Sequence, residues 1–157
     1  MEGEIYLDET MFVRSLEDQL CFEVYKASNG FSRMYGRALK PFGLTFPQYL
    51  VLLALWDEDH VFIKNISDRI GMSIGTLNPI LNRLATQGWI EKVTSDIDKR
   101  AVIVTLTEKS QQAKKPISKA ILNEIKHCNM TDINNEAFFK GLKSLNNEFD
   151  QLEEKND

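Results

Sequence analysis

Hydroxyl, amide and guanidinium groups recur at helical spacing in Ser73-Ile74-Gly75-Thr76-Leu77-Asn78-Pro79-Ile80-Leu81-Asn82-Arg83. Thr76, Asn78, Asn82 and Arg83 share the side of a predicted helix that lies opposite Leu77, Ile80, Leu81 and Leu84. Short polar groups on such a face can bond to base edges or phosphates, and a guanidinium can reach phosphate or guanine. A second basic pair, Lys99 and Arg100, closes the polar, turn-forming segment Thr94-Ser95-Asp96-Ile97-Asp98-Lys99-Arg100. Arg100 is expected to enter a minor groove, where a narrow groove concentrates negative potential. Two thiols offer a different chemistry. The thiolate is the reactive form, so a sensing cysteine needs hydrogen-bond donors or positive charge nearby. A free cysteine is otherwise a small core hydrophobe. Cys21, one helical turn before Tyr25, is open to both readings, and Cys128, next to His127, is either reactive or a bystander. His60 and His127 have no acid or cysteine at ligand spacing, so no metal site is expected.

The elements that must position these groups follow from local signals. Ile63, Ile66 and Ile70 mark a short amphipathic helix stopped by Gly71, and Ser73 can cap the helix that follows. Two helices joined by a tight glycine-containing turn make a helix-turn-helix, whose second helix fits the major groove. Trp89 to Val93 and Ala101 to Leu106 are β-rich runs around the polar loop, and a hairpin in that place is a wing. Val61-Phe62-Ile63 could add a short third strand. The fold class expected is mainly α with a small β wing, a winged helix-turn-helix flanked by helices. A helical hairpin with a sheet that merely packs is the plainer alternative.

Upstream, a long helical pattern starts at Arg14, with Leu16, Leu20, Val24, Ala27, Phe31, Met34 or Tyr35, and Ala38 on one face, and ends at Lys40-Pro41-Phe42-Gly43. The helix after Thr45, Gln48 to Trp56, is apolar on nearly every side and is expected to be buried. Downstream, a helix opens at Thr107-Glu108 and runs to about His127, with a bend or irregularity expected at Pro116. Asn129-Met130-Thr131-Asp132 breaks the chain. The last helix carries Phe138, Leu142, Leu145, Phe149 and Leu152, an a/d seam over two heptads. A winged domain does not need this seam for its own core, so it is read as a dimerisation face; packing onto the first helix is the alternative. Residues 1–13 are read as a leader, 14–45 and 108–157 as the dimerisation region, and 46–107 as the DNA-binding region of one compact domain.

Composition bounds the function. Apolar content is 43%, enough for a packed core, and no run approaches the roughly 18 apolar residues of a membrane span. The acidic start Met-Glu-Gly-Glu does not resemble a signal peptide, and two distant cysteines do not make a disulfide framework. A cytoplasmic protein without membrane or cofactor is expected. Net charge is −4, yet residues 61–109 hold seven Lys/Arg against five Asp/Glu, while the remainder is acidic. No phosphate-binding glycine loop or nucleophile elbow is present, and a peroxidase using Cys21 lacks a second cysteine nearby in sequence. The chain is not expected to be an enzyme.

In the order of its elements, and in Asp98-Lys99-Arg100 followed by Val104-Thr105-Leu106-Thr107, the chain resembles the MarR family of bacterial transcription regulators. The likeness covers about residues 15 to 150. Gln19 to Tyr25, Leu44 to Leu52, Gly75 to Leu81 and Arg83-Leu84 are similar to the organic hydroperoxide regulators within that family. The resemblance implies a homodimer on a near-palindromic operator, acting as a repressor. Ser73, Gly75, Thr76, Asn78, Pro79, Asn82, Arg83, Asp98, Lys99 and Arg100 would then face DNA. It also implies that Cys21 senses peroxide, that Tyr35 approaches its sulfur across the dimer, and that Cys128 of the other chain is the resolving thiol; Tyr25, one turn after Cys21, is grouped with them as a candidate. Phe46 stands where relatives carry a second tyrosine, and Ser73-Ile74-Gly75-Thr76 stands where they open the recognition helix with Asp-Ser-Gly-Thr. A related alternative is a regulator released by a small phenolic ligand, with Cys21 structural.

Overall fold

The computed structural model describes residues 8–130 and 135–155. Positions 1–7 of the expected leader, Thr131 and Asp132 of the expected break, and the last two residues therefore lie outside the described residues. The first long helix, α1 (Leu20–Leu39), starts six residues later than Arg14. Glu9–Val13 and Leu16–Asp18 are instead short 3-10 helices. Side chains hold that segment in turns: Asp8 accepts from the Thr10 amide, and Gln19 Nε2 donates to the carbonyls of Met11 and Arg14. Such local bonds offer the backbone an alternative to the helix ladder.

Helix α2 (Phe46–Asp57) opens with a complete capping box, Thr45 and Gln48 exchanging side chain-to-amide bonds. Tyr49, Val51, Leu52 and Leu55 are buried. The expectation of burial on all sides fails at Leu53, which is 41% exposed, because neighbouring elements cover α2 on only part of its circumference. Strand β1 (Val61–Phe62) leads into α3 (Ile63–Ile70), and α4 (Ile74–Thr86) follows. Between these two helices Gly71 takes φ +74°, a left-handed conformation that glycine adopts without a Cβ penalty. The Gly71 and Met72 amides both donate to Ser67 C=O, and Ser67 Oγ donates back to Met72 C=O, closing the turn.

Strands β2 (Ile90–Thr94) and β3 (Val102–Leu106) pair antiparallel, Ile90 opposite Leu106 and Thr94 opposite Val102. Strand β1 joins the far edge of β3, giving the order β1-β3-β2. Asp59 Oδ1 accepts the Leu106 amide and His60 Nδ1 meets Thr105 Oγ1 at 2.9 Å, so the acidic turn before β1 is tied to the sheet. Helix α5 (Glu108–His127) is continuous through Pro116 and begins at Thr107, whose hydroxyl accepts from the Ser110 amide. Trp56 Nε1 donates to Ser110 C=O at 3.1 Å and links α2 to α5.

Leu39, Val51, Leu52, Leu55, Ile66, Leu77, Leu81, Leu84, Ile90, Val104 and Ile117 form one core drawn from α1 to α5 and the sheet. The stripe on α1 is covered only in its second half: Met34 and Ala38 are buried, whereas Leu20 and Val24 are exposed. Helix α6 (Asn135–Glu154) buries no residue. Its seam stays open, from 37% exposure at Leu145 to 56% at Leu152, and the alternative of packing onto the first helix is not realised in the protomer. Among the described residues no single helix is long and apolar enough to cross a membrane.

Candidate nucleic-acid interface and its thiols

Helix α4 is held by Leu77, Leu81 and Leu84, each fully buried, so its opposite face is set rigidly outward. Ile80, expected in that stripe, is only half-buried. Ser73, Gly75, Thr76, Asn78, Pro79, Asn82 and Arg83 are all exposed. Ser73 Oγ accepts from the Thr76 amide at 3.2 Å and lies 2.9 Å from Thr76 Oγ1, so the first turn presents two coupled hydroxyls. Pro79 lacks the amide that would bond to Gly75 C=O four residues back. A Cβ added at Gly75 would meet no atom within 4 Å, which leaves open space above the helix start.

The wing reaches toward this face. Asp98 Oδ1 accepts the Arg100 amide at 3.0 Å, so the Asp98 carboxylate shapes the tip from which Arg100 projects. Between α4 and the wing lies a concavity of about 800 Å³ in which Asn78, Asn82, Asp98 and Arg100 come together. Ser73, Gly75, Thr76, Pro79, Arg83 and Lys99 do not line it. Lys64 and Asn65 from the first turn of α3, and Lys92 from β2, also line the concavity. Sequence reasoning missed these three as site residues. Lys92 Nζ donates to Asn82 Oδ1, tying the second strand to the outward face of α4. The alternation of β2 held the signal for Lys92, because Ile90 points into the core and Lys92 lies two residues on.

The positive charge of this segment is divided by use. Arg69 pairs with Asp57 and also donates to Ala54 C=O. Lys109 sits 4.2 Å over the Trp89 ring and donates to Gln87 C=O, so both serve the fold. Lys64, Arg83, Lys99 and Arg100 have no ion pair among the described residues.

Both cysteines are exposed in the protomer and unbridged, so Cys21 is not part of the protomer's own core. Cys21 is the second residue of α1, whose first turn has no side-chain cap from Gln19. Tyr25, one turn on, is also exposed. Tyr35 lies fourteen residues along the same helix, about 21 Å away, and cannot reach the Cys21 sulfur of its own chain. It stacks instead on Phe46, with ring centroids 4.5 Å apart, and on Tyr49 at 5.7 Å. Burial raises the pKa of Tyr35 above the ordinary phenol value, so its hydroxyl stays protonated and able to donate.

Cys128 caps the C-terminus of α5. Its sulfur receives a hydrogen bond from Arg37 Nη2 at 3.4 Å, while Arg37 Nε donates to Glu124 Oε1 at 2.5 Å. The Glu124 carboxylate, followed by the Cys128 sulfur, raises the Arg37 pKa further. The Cys128 sulfur thus meets Arg37, ninety-one residues away, and donates to Glu124 Oε1 at 3.9 Å one turn back, in place of the expected neighbour His127; no short-range pattern joins Cys128 to Arg37. Among the described residues no three His, Cys, Asp or Glu side chains converge as a metal site would require.

A family model described as transcriptional regulator SarA/Rot matches residues 33–117. The chain is 43% identical over 101 residues to the HTH-type transcriptional regulator TtmR of Methylorubrum extorquens, covering 64% of this chain and about half, 52%, of that protein. It is 36% identical over 107 residues to the HTH-type transcriptional regulator MgrA of Staphylococcus aureus, covering 68% of this chain and 73% of MgrA. Among solved structures, reduced AbfR bound to DNA superposes with a TM-score of 0.75 at 34% identity, covering 85% of this chain and 94% of that one. The disulfide form of AbfR superposes less well, at 0.65. AbfR is from Staphylococcus epidermidis and has also been solved overoxidized and bound to DNA. The fold extends to MarR of E. coli in complex with operator DNA, TM-score 0.72 at 21% identity over 80% of this chain and 92% of MarR.

Proposed function

The chain belongs to the SarA/Rot family of MarR-like winged-helix transcriptional regulators, and from that premise we propose a homodimeric repressor that leaves its operator when Cys21 is oxidised. The observation that carries DNA recognition is the concavity in which α4 and the wing bring Asn78, Asn82, Lys92 and Arg100 to one face. Helix α4 enters the major groove with Ser73, Thr76, Asn78, Asn82 and Arg83. Gly75 leaves room there for the sugar-phosphate backbone, and Pro79 is exposed on the same helix. Lys99 and Arg100 reach phosphates and the adjacent minor groove, and Lys64 adds positive charge between them. Its place of work is the cytoplasm.

Dimerisation uses residues 14–45 and 108–157, with the seam Phe138, Leu142, Leu145, Phe149 and Leu152 of α6 and the uncovered half of α1 as its apolar faces. Two recognition helices then meet half-sites about 34–36 Å apart, or a multiple of that, on a near-palindromic operator.

The redox step rests on the placing of the two thiols. Arg37, which holds the Cys128 sulfur, lies sixteen residues along α1 from Cys21, about 24 Å. A disulfide needs Cα atoms about 4.4–6.8 Å apart, so the two cysteines of one chain cannot pair even after the reach of an arginine is subtracted. A disulfide between Cys21 and Cys128 would therefore join two subunits. The Cys21 thiolate attacks the peroxide oxygen of an organic hydroperoxide, giving sulfenic acid and, with one proton, the alcohol. The Cys128 thiol of the other subunit then displaces water to form the disulfide. Such a bond pulls on α1 and alters the spacing of the two recognition helices, because close-packed interiors transmit the displacement. AbfR, solved on DNA in both its reduced and its overoxidized forms and separately as a disulfide, supports the disulfide rather than oxidation as such as the releasing step.

A second reading has its own observation. The concavity is of drug-like size and carries Phe62, Ile74 and Val102 beside Lys64 and Arg100, a lining suited to a small phenolic or aromatic acid. Titrating the DNA complex with cumene hydroperoxide in parallel with salicylate separates the two. Oxidant should release the wild type and leave Cys21→Ser bound. Release of both by salicylate, with no response to oxidant, would put the ligand reading in its place.

A further inference from the structure

The wing ends in a polar loop that carries one side chain of a different kind. Ile97 is 99% exposed, and its neighbours in the tip are Asp96, Asp98, Lys99 and Arg100. A single aliphatic on a loose loop would carry no meaning, since apolar atoms are common on protein surfaces. This loop is closely tied. Ser95 is buried, and its Oγ accepts hydrogen bonds from the Ile97 amide at 3.3 Å and the Asp98 amide at 3.4 Å. Asp98 accepts the Arg100 amide on its carboxylate and the Ala101 amide, at 2.9 Å, on its carbonyl. The Ser95 amide in turn donates to Ala101 C=O at 2.8 Å. The backbone is fixed on both sides of Ile97, while the side chain contributes nothing to the core.

We propose that Ile97 is a DNA-contacting residue that sets sequence preference, packing against the uncharged deoxyribose walls of the minor groove beside Arg100. The proposal rests on the reading of the wing as a DNA contact and adds a residue and a mechanism to it. Ile97 is continuous with that interface, because Arg100, three residues on, lines the concavity shared with α4. Lys99 and Arg100 bring the tip to the phosphates, and an aliphatic beside them meets the apolar sugar surface that cations leave untouched. The β-branched side chain is stiff, so it gives up little rotamer freedom on contact. Contacts of this kind respond to groove width and to how easily a base step opens, which makes them sensitive to sequence without a hydrogen bond to any base. Burial against sugar also releases no counterion, so its contribution is independent of salt, unlike that of a phosphate-binding cation.

The test uses the reduced full-length chain and duplexes that the wild type selects from a random-sequence library. Affinities are measured across a range of salt for wild type, Ile97→Ser, Ile97→Val and Arg100→Ala. Ile97→Ser should bind roughly fivefold more weakly, with the wild-type salt slope, whereas Arg100→Ala should flatten that slope. Ile97→Val, which keeps the branch, should stay near wild type. A second selection with Ile97→Ser should lose preference at the positions flanking those read by α4 and keep it within them. Wild-type affinity and an unchanged selected sequence in Ile97→Ser would overturn the proposal. A change of salt slope in Ile97→Ser would overturn it too. So would a change in sedimentation, which would assign Ile97 to a contact between copies of the chain. If the wild type selects no duplex at all, the DNA reading itself falls and this proposal with it. The fold is not at risk in these variants, since Ile97 is exposed.

Discussion

Four side chains carry the most specific chemistry, and three observables report on them. Arg100 projects from a wing tip that the Asp98 carboxylate has already shaped, so truncation should remove a contact without loosening the loop. Arg100→Ala is expected to weaken binding to selected duplexes by about 1–3 kcal/mol and to lower the salt slope by about one counterion. Anisotropy titrations at several salt concentrations measure both. Cys128 has a role only if its sulfur meets the Cys21 of another subunit. Cys128→Ser treated with hydroperoxide should therefore give no disulfide-linked dimer on a non-reducing gel, while mass spectrometry finds Cys21 carried on to the sulfinic acid. Tyr35 and Tyr49 offer an alkaline signature. Burial raises both above the ordinary phenol value of 10.0. Their folded-state pKa values exceed the unfolded ones, so the stability they confer is complete below pH 10 and is lost as pH rises through the folded values. Phenolate absorbance should show a late component that shrinks in Tyr35→Phe, with the part from Tyr49 remaining, and stability should fall along with its appearance.

At the scale of the element, on the proposed reading α4 separates folding from recognition on its two faces. Leu81 is fully buried, and Leu81→Ala should lower the free energy of unfolding by about 2–5 kcal/mol through cavity formation. Arg83, on the opposite face, is exposed and has no ion pair among the described residues. Arg83→Ala should change stability by less than about 0.5 kcal/mol while weakening DNA binding. Urea unfolding and duplex titration of the two variants would give opposite patterns. Equal loss of binding per unit of lost stability would mean that α4 acts only as packing. The same division explains the wing. Strand β2 is anchored by Ile90 in the core, and beyond it Lys92 reaches back to Asn82, so the hairpin and the recognition helix move as one surface.

The whole molecule presents a protomer with an unfinished surface. Helix α6 buries nothing, and the first half of α1 exposes Leu20, Val24 and Tyr25. Apolar faces of this extent mark association surfaces. Leu142→Glu with Phe149→Glu should convert the proposed dimer to monomer in sedimentation, and removal of residues 134–157 should do the same. Both should abolish specific DNA binding, because one half-site alone supplies only part of the contact. A monomer that kept full affinity for a selected duplex would remove dimerisation from the mechanism.

Much of this was legible in the residues alone, where the governing forces are local. Ser73, Thr45 and Thr107 cap helices through bonds to amides three residues on, and Gly71 and Gly43 end helices at positive φ. The stripe Leu77, Leu81, Leu84 and the polar loop between two β-rich runs likewise encode helix and wing within a few residues. These signals determined the helix-turn-helix, its outward face and the order of elements. Other features belong to contacts between distant segments, and only the tertiary structure decided them. Gln19 folds back onto Met11 and delays α1, and α1 and α5 bring Arg37 to Cys128. The start of α3 meets β2 and the wing around one concavity, which adds Lys64, Asn65 and Lys92 to the site. The exposure of both thiols was decided in the same way. Periodicity states which face of a helix is apolar; which neighbour covers that face, and how far along, depends on segments that meet only when the chain has folded.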